Sequence, residues 1–332
     1  MYRNVKIAIT GAAGQIGYAF LFRLASGEVF GPDTDIHLSL LEIEPALPAL
    51  KGTVMELQDC AFPRLKSITA TSVVQEAFCD ADWAVLIGSV PRKAGMERGD
   101  LLKINGRIFI EQGKALDQYA KKSCRILVVG NPCNTNCYIA KAVCRHIPAT
   151  NFFALMMLDQ KRAEAQLAVK AQVDSRFIKN IAVWGNHSAT QFPDFYHGVV
   201  QGRPLVDVIS DIKWLKNDFI DIIRKRGAEI IKIRGQSSAA SAANAIVETI
   251  KNLITPTETG EYFSVAVSSD GSYGINKGLI FGFPVQSEGT HWSIVTGLEH
   301  DAFAQEKIET TKQELLKEQK EVEFLFPNIF KY

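Results

Sequence analysis

The chain lacks several features that would restrict its class at once. No apolar run approaches the roughly 20 residues that a helix needs to span a bilayer, and no dense block of lysine and arginine occurs. With 37 basic against 36 acidic side chains the formal charge is +1, so no general electrostatic pull toward nucleic acid or an anionic membrane is expected. The six cysteines, at 60, 79, 124, 133, 137 and 144, form no C-x-x-C pair and have no histidines at zinc-ligand spacing. Cys133 and Cys137 fall where they can share a helix face, yet small buried thiols are common, and no metal is expected. Free thiols suit a reducing compartment. The opening "MYRNVKIAIT" enters a strand pattern at once, which leaves no room for a targeting segment and points to a cytoplasmic location. Internal repeats and low-complexity tracts are absent too.

What the chain does have is length and a globular balance. Its 332 residues, 47% hydrophobic and 22% charged, suffice for two domains with a sizeable core. In the first half, short β-rich runs at 5–10, 37–42, 84–88 and 125–129, with "ITATS" near Ile68, alternate with helix-spaced segments at 16–25, 47–57 and 100–121. Strand–helix alternation at this spacing predicts βαβ units and a doubly wound parallel sheet of the Rossmann type. After about residue 150 the pattern changes to longer helices at 160–172, 211–231 and 239–253. Strands at 262–267, 279–283 and 291–296 follow, the last two joined through "PVQSEGT", and then a charged amphipathic helix from 301 to 321. The expectation is an α/β first domain over 1–153 and an α+β second domain over 154–332, with the boundary near 148–156.

The segment "VKIAITGAAGQIGYAFLFRLA" combines a strand, a glycine-rich turn and a helix. Gly11, Gly14 and Gly17 stand as G-x-x-G-x-x-G, one residue wider at the start than the usual dinucleotide fingerprint. Such glycines let the backbone approach a pyrophosphate, and the helix start near Gln15 offers free N–H groups and the positive dipole end. Glu42 ends the second strand about 25 residues later, where an acid can accept from the ribose hydroxyls and repel a 2′-phosphate. NAD is favoured over NADP.

Two further stretches carry chemistry. "VLIGSVPRKAGMERGD" leaves an apolar strand for a Pro/Gly loop that holds Arg92, Lys93 and Arg98. "IAVWGNHSATQFPDF" is an apolar strand ending in Gly185, Asn186 and His187, while "LMMLDQKRAEAQLA" sets Asp159 and Arg162 three apart on one helical turn. A buried Asp can orient a His, and an Arg can grip a carboxylate bidentately.

With these residues in view the chain resembles, over essentially its full length, the malate dehydrogenase family within the lactate/malate dehydrogenase superfamily. The likeness rests on "TGAAGQIGY", "LEIEPALPALKGTVMELQDCAFP", "GSVPRKAGMERGDLLKINGRIF", "VGNPCNTN", "LDQKRAEAQLA", "WGNHSATQFPD" and "GQSSAASAANAI". They stand in the family's order and are most similar to its cytosolic and related bacterial branch. The resemblance implies reversible, NAD-dependent oxidation of (S)-malate to oxaloacetate, a tricarboxylic acid cycle reaction, by a homodimer. It implies His187 as general acid/base paired with Asp159, and Arg162 on the C1 carboxylate. Arg98 would polarise the reacting carbonyl, Arg92 would meet the distal carboxylate, and Asn131 would bind substrate beside the nicotinamide after a cis Asn131–Pro132 bond. Gly11, Ala12, Ala13, Gly14, Gln15, Ile16 and Gly17, with Glu42, Asn105, Gln112 and the backbone of Val129, Gly130 and Asn131, would hold NAD.

Two departures stand out. Glu42 and Met157 occupy positions where many relatives carry Asp and Arg. The arginines of the Pro/Gly loop, Arg92 and Arg98, find their reason in a dicarboxylate, because two charges taken out of water need paired cations and a mobile loop can bring them on closing. A lactate dehydrogenase would want an uncharged residue at 92, and a non-catalytic NAD-binding protein would be expected to lose His187, Asp159 or the arginines.

Overall fold

Strand and helix alternate strictly at the start of the computed structural model, which describes residues 3–90 and 98–325. The order is β1 (Arg3–Thr10), α1 (Gln15–Ala25), β2 (Thr34–Leu41), α2 (Leu47–Asp59), β3 (Leu65–Thr71), α3 (Val74–Phe78), β4 (Trp83–Leu86), α4 (Arg98–Tyr119), β5 (Arg125–Val128), α5 (Cys133–Val143) and β6 (Phe152–Ala154). All neighbouring pairs are parallel, in the order β3-β2-β1-β4-β5-β6. Ile7, Ile9, Leu38, Leu40, Val85 and Leu127 are buried at or near 0% exposure, as expected of a parallel sheet covered on both faces. Each contributes roughly 1.5–3 kcal/mol by leaving water. The order reverses between β1 and β4, which makes the carboxyl ends of those strands the switch point where a doubly wound sheet takes its ligand. This is the Rossmann-type unit expected.

The second unit begins at Leu155. It contains α6 (Met157–Ala171), β7 (Ile178–Lys179), β8 (Ala182–Trp184), β9 (Phe192–Asp194), β10 (Val199–Val200), β11 (Arg203–Pro204) and two short turns, α7 (Leu205–Val208) and α8 (Ile212–Trp214). The helices α9 (Ile220–Arg234) and α10 (Ala240–Ile254) follow, then the antiparallel meander β12 (Phe263–Ser268), β13 (Ile280–Ser287), β14 (Trp292–Ile294) and the long α11 (Ala302–Val322). Its core is aromatic: Trp184, Phe192, Phe195, Phe219, Phe281 and Phe283 are fully buried.

Several expectations shift. The helix read at 211–231 is broken by a π-helical turn at Leu215–Phe219, whose two end residues are buried. The strand read at 279–283 continues through Pro284–Gln286 to Ser287, so the link to β14 is shorter than "PVQSEGT". The helix α5 is absent from the sequence expectation: its first turn carries Asn134, Thr135 and Asn136, which are buried, so polar side chains there do not mark a solvent face. From residue 317 the chain packs with the first unit. The reason lies at the end of α11: Glu318, 2% exposed, accepts from Thr135 Oγ1, and Gln319 Nε2 donates to Tyr138 Oη at 2.9 Å. The cysteines are free, and burial pushes the Cys137 thiol up to about 12. Among the described residues no helix is long and apolar enough to cross a membrane.

Candidate active site

The glycine turn after β1 is shaped by close approach. Gly11 has φ +66°, and a Cβ on it would stand 2.7 Å from the Gly88 Cα; one on Gly17 would stand 2.5 Å from Gly11 O. Side chains at either position would push the turn off β4 or off α1. Ala12 is buried at 0% beneath it, and Gly14 N closes the turn on Gly11 O at 3.1 Å. Gly14 is the N-cap of α1 and brings no side-chain acceptor, so the first-turn N–H groups of Gln15, Ile16 and Gly17 are not capped from that side. An eleven-residue helix whose amino end meets a backbone-lined turn suits a pyrophosphate.

Glu42 sits one residue past β2 and is partly buried. Its Oε1 accepts from Ala13 N at 2.9 Å and its Oε2 from Ile43 N at 3.2 Å. The carboxylate is therefore tied to the glycine turn itself, at the carboxyl end of β2. The helix α4 contributes Asn105 and Gln112. Asn105, fully buried, accepts from Val90 N at 2.8 Å and donates to Val90 O and Asn131 O at 3.2 and 3.1 Å. Its amide positions two loops, a role the sequence did not suggest. Gln112, two turns along the same face, is 6% exposed, and its Oε1 has no hydrogen-bond partner. Val129 N and Gly130 N both donate to Leu86 O, at 2.9 and 3.0 Å. The Asn131–Pro132 bond is cis, and Asn131 is exposed. The glycine turn, the open helix end and the strand-end acid fit a dinucleotide.

The second unit supplies a different constellation. Asp159, in the first turn of α6, is 0% exposed. Its Oδ2 meets His187 Nδ1, and its Oδ1 accepts from Arg162 Nη1 at 3.2 Å. Arg162 Nη2 donates to Ser238 Oγ at 3.3 Å, which draws in the "GQSSAAS" segment. Burial pushes the Asp159 carboxyl up, but the His187 and Arg162 charges and hydrogen bonds from His187 and Gln191 outweigh it and hold it below the usual carboxylate range. An ionised Asp on Nδ1 sets the imidazole's orientation and tautomer. Met157 is buried at the first position of α6. Arg92 and the Arg98 side chain lie outside the described residues; the backbone of Arg98 opens α4.

The His187 loop is held by residues that the sequence did not single out. Gly185, φ +96°, exchanges backbone hydrogen bonds with Gly282, and a Cβ on it would fall 2.1 Å from Thr311 Cγ2. Thr311 Oγ1 accepts from Asn186 N at 2.9 Å. Glu314, one turn further along α11, gathers Asn186 Nδ2 at 2.8 Å, Thr190 Oγ1 at 2.7 Å and Ser188 Oγ on a single carboxylate oxygen. Arg224 of α9 donates to the carbonyls of Gln191 and Thr190 at 2.8 and 3.0 Å. A histidine on a loop thus gains the fixity of two helices.

Comparison with known proteins agrees with both halves. Residues 5–153 match the family model described as lactate/malate dehydrogenase, NAD binding domain, and residues 157–325 match lactate/malate dehydrogenase, alpha/beta C-terminal domain. The chain is similar to a malate dehydrogenase from Naegleria fowleri at 41% identity and TM-score 0.94, covering 98% of this chain and 99% of that one. It is also similar to a lactate dehydrogenase from Trichomonas vaginalis in complex with NADH and oxamate, at 37% identity and TM-score 0.91, covering 95% and 97%. An apo leucine-to-arginine variant of that enzyme matches at 37% identity and TM-score 0.92, covering 97% and 98%.

Proposed function

The chain belongs to the lactate/malate dehydrogenase family and is an NAD-dependent dehydrogenase; on that premise we propose that it interconverts (S)-malate and oxaloacetate. The observation that carries the reading is the fully buried Asp159 engaging both His187 and Arg162. With Nδ1 turned to Asp159, proton exchange with substrate falls to His187 Nε2. Neutral His187 removes the C2 hydroxyl proton in oxidation, and protonated His187 returns it to the carbonyl oxygen in reduction. Asp159 stabilises the imidazolium between these events. Arg162 grips the C1 carboxylate. Arg98 stabilises charge on the carbonyl oxygen, a contribution of roughly 3–4 kcal/mol for a well-placed donor, while Asn131 orients the substrate and Arg92 pairs with its distal carboxylate. NAD, when bound, accepts the C2 hydride or gives it back. Residues 11–17, Glu42, Asn105, Gln112 and 129–131 would hold it, with Glu42 selecting against a 2′-phosphate.

Arg92 is what favours a dicarboxylate over pyruvate, since a methyl group offers a guanidinium no partner. The competing reading, lactate and pyruvate, draws support from the 37% identity to a lactate dehydrogenase. NADH consumption measured with oxaloacetate and with pyruvate separates the two, and pyruvate turnover equal to or above that of oxaloacetate would refute the proposal. The family likeness also supports a cytoplasmic homodimer serving the tricarboxylic acid cycle. Sedimentation at micromolar protein tests the dimer.

A further inference from the structure

Outside the acid–base constellation, three titratable side chains of the second unit converge from distant parts of the chain. Asp194 ends β9, His197 follows three residues later, and His300 comes from the segment just before α11. One ligand atom from each lies within 4.8 Å of the others. Asp194 is 0% exposed. Its Oδ1 accepts from Tyr196 N at 2.8 Å, and its Oδ2 faces His197 Nδ1 at 2.8 Å, Trp184 Nε1 at 3.2 Å and His300 Nε2 at 3.6 Å. The last separation is too long for a hydrogen bond. Among the described residues His300 Nε2, on a side chain only 6% exposed, has no closer polar partner than this ion-pair contact. At 3.6 Å the ring nitrogen stands at ion-pair distance from Asp194 Oδ2, so one buried carboxylate oxygen faces two imidazoles, brought to it from segments about a hundred residues apart.

We propose that Asp194, His197 and His300 bind a first-row divalent cation of the zinc class. Two imidazole nitrogens and one carboxylate oxygen are the donor set such ions take, with an open position left for water. Bonds of about 2.0–2.1 Å set adjacent donors roughly 3–3.5 Å apart; the two separations from Asp194 Oδ2, 2.8 and 3.6 Å, bracket that range, and the two imidazole donors lie within 4.8 Å of each other. The surroundings resemble an outer shell. Trp184 Nε1 steadies the carboxylate, and the backbone of Glu299 hydrogen-bonds the His197 ring, as partners of metal-bound imidazoles do. The Trp184 and Tyr273 rings stand edge-on to His300 at 4.8 and 5.7 Å. A cavity of about 400 Å³, lined by His300, Tyr273, Leu298 and Lys312 among others, gives water and ion a route to it. An ion there would pin the start of α11, the helix that carries Thr311 and Glu314, to β9. The competing arrangement is a proton shared within the cluster, with Asp194 hydrogen-bonded to His197 and ion-paired with His300.

The test is a titration of the full chain, stripped with chelator, using Co²⁺ as the visible probe and Zn²⁺ as competitor. The expected result is one equivalent of Co²⁺ with ligand-field absorption, its displacement by Zn²⁺, and a Tm that rises with added Zn²⁺. His300→Ile and His197→Gln should each weaken binding by about 100-fold or more, with oxaloacetate turnover of the stripped His300→Ile protein equal to that of stripped wild type. Absence of the absorption in wild type would overturn the proposal in favour of the shared proton. Absorption of full strength in both variants would overturn it too, by placing the ion elsewhere. If His197→Gln fails to fold, His300→Ile alone decides.

Discussion

Glu314→Ala removes one oxygen that three side chains of the His187 loop share, and its effect can be worked from the bonds lost. Hydrogen bonds to a carboxylate are worth about 1.5–3 kcal/mol each, but three on one oxygen do not add. A total near 3 kcal/mol is a reasonable measure of how strongly Glu314 holds Asn186, Ser188 and Thr190 in place. Thr311 on Asn186 N and Arg224 on the carbonyls of Thr190 and Gln191 remain, so the loop stays attached and the fold survives. What changes is how much of the time His187 faces both Asp159 and substrate correctly. At about 1.4 kcal/mol per factor of ten, kcat should fall about 100-fold. Glu314→Gln keeps an acceptor but loses the charge that roughly doubles each bond, so it should fall about tenfold. The order wild type, Gln, Ala is itself part of the expectation.

Steady-state oxaloacetate reduction gives kcat and KM, and NADH fluorescence gives the cofactor Kd, which should not move because the first unit binds NAD. A folded Glu314→Ala protein with kcat within twofold of wild type would refute the argument that the clamp positions His187. A parallel loss of NADH affinity would refute it as well, by showing a disturbance too broad for a loop effect.

Other expectations follow from single residues. His187→Asn should abolish turnover with NADH Kd nearly unchanged, measured by the same fluorescence titration. Arg92→Gln should cut oxaloacetate kcat/KM by roughly two to four orders of magnitude, since an unpaired carboxylate in a closed site costs several kcal/mol, while pyruvate kcat/KM rises modestly; an equal fall for both would remove Arg92 from the distal carboxylate. Glu42→Ala should raise NADPH use relative to NADH, read as the ratio of kcat/KM values. Asp159→Asn should lower the urea midpoint at pH 7 by an amount that shrinks in acid. A carboxyl held below its usual pKa contributes stability above the unfolded value, about 3.9, and loses it as pH falls through the folded one. A gap that stays constant from pH 7 to below pH 4 would show that ionisation is not the cause.

The elements that sequence reading placed well are those whose signal is local. β1, α1 and the Gly11–Gly17 turn are contiguous, and each residue's requirement can be judged from its neighbours. Asp159 and Arg162 share one helical turn, so their proximity is a matter of helix geometry. The failures have an equally physical cause. The helix α5 opens on polar residues, Asn134 to Asn136, that the fold buries, and the π-helical turn before α9 satisfies core contacts at Leu215 and Phe219 that no periodicity announces.

Partners that arrive from far along the chain are the hardest case, and they are the ones that make the site work. Gly185 reads from sequence as the end of an apolar strand, but what forbids a side chain there is Thr311, more than a hundred residues away. Glu314 lies in "KQELLKEQKEVE", a charge pattern that helical periodicity assigns to solvent; only the fold turns that one carboxylate toward loop residues 124 to 128 positions earlier. His187 itself was recognisable through its neighbours and its resemblance to a family motif, whereas the fixity that makes an imidazole on a loop useful came from α9 and α11. The same logic separates Asp194 and His197, close in sequence, from His300, which completes their cluster from across the second unit. A motif can therefore nominate the group that exchanges the proton, but the free energy that keeps it in position is held by residues with no motif at all.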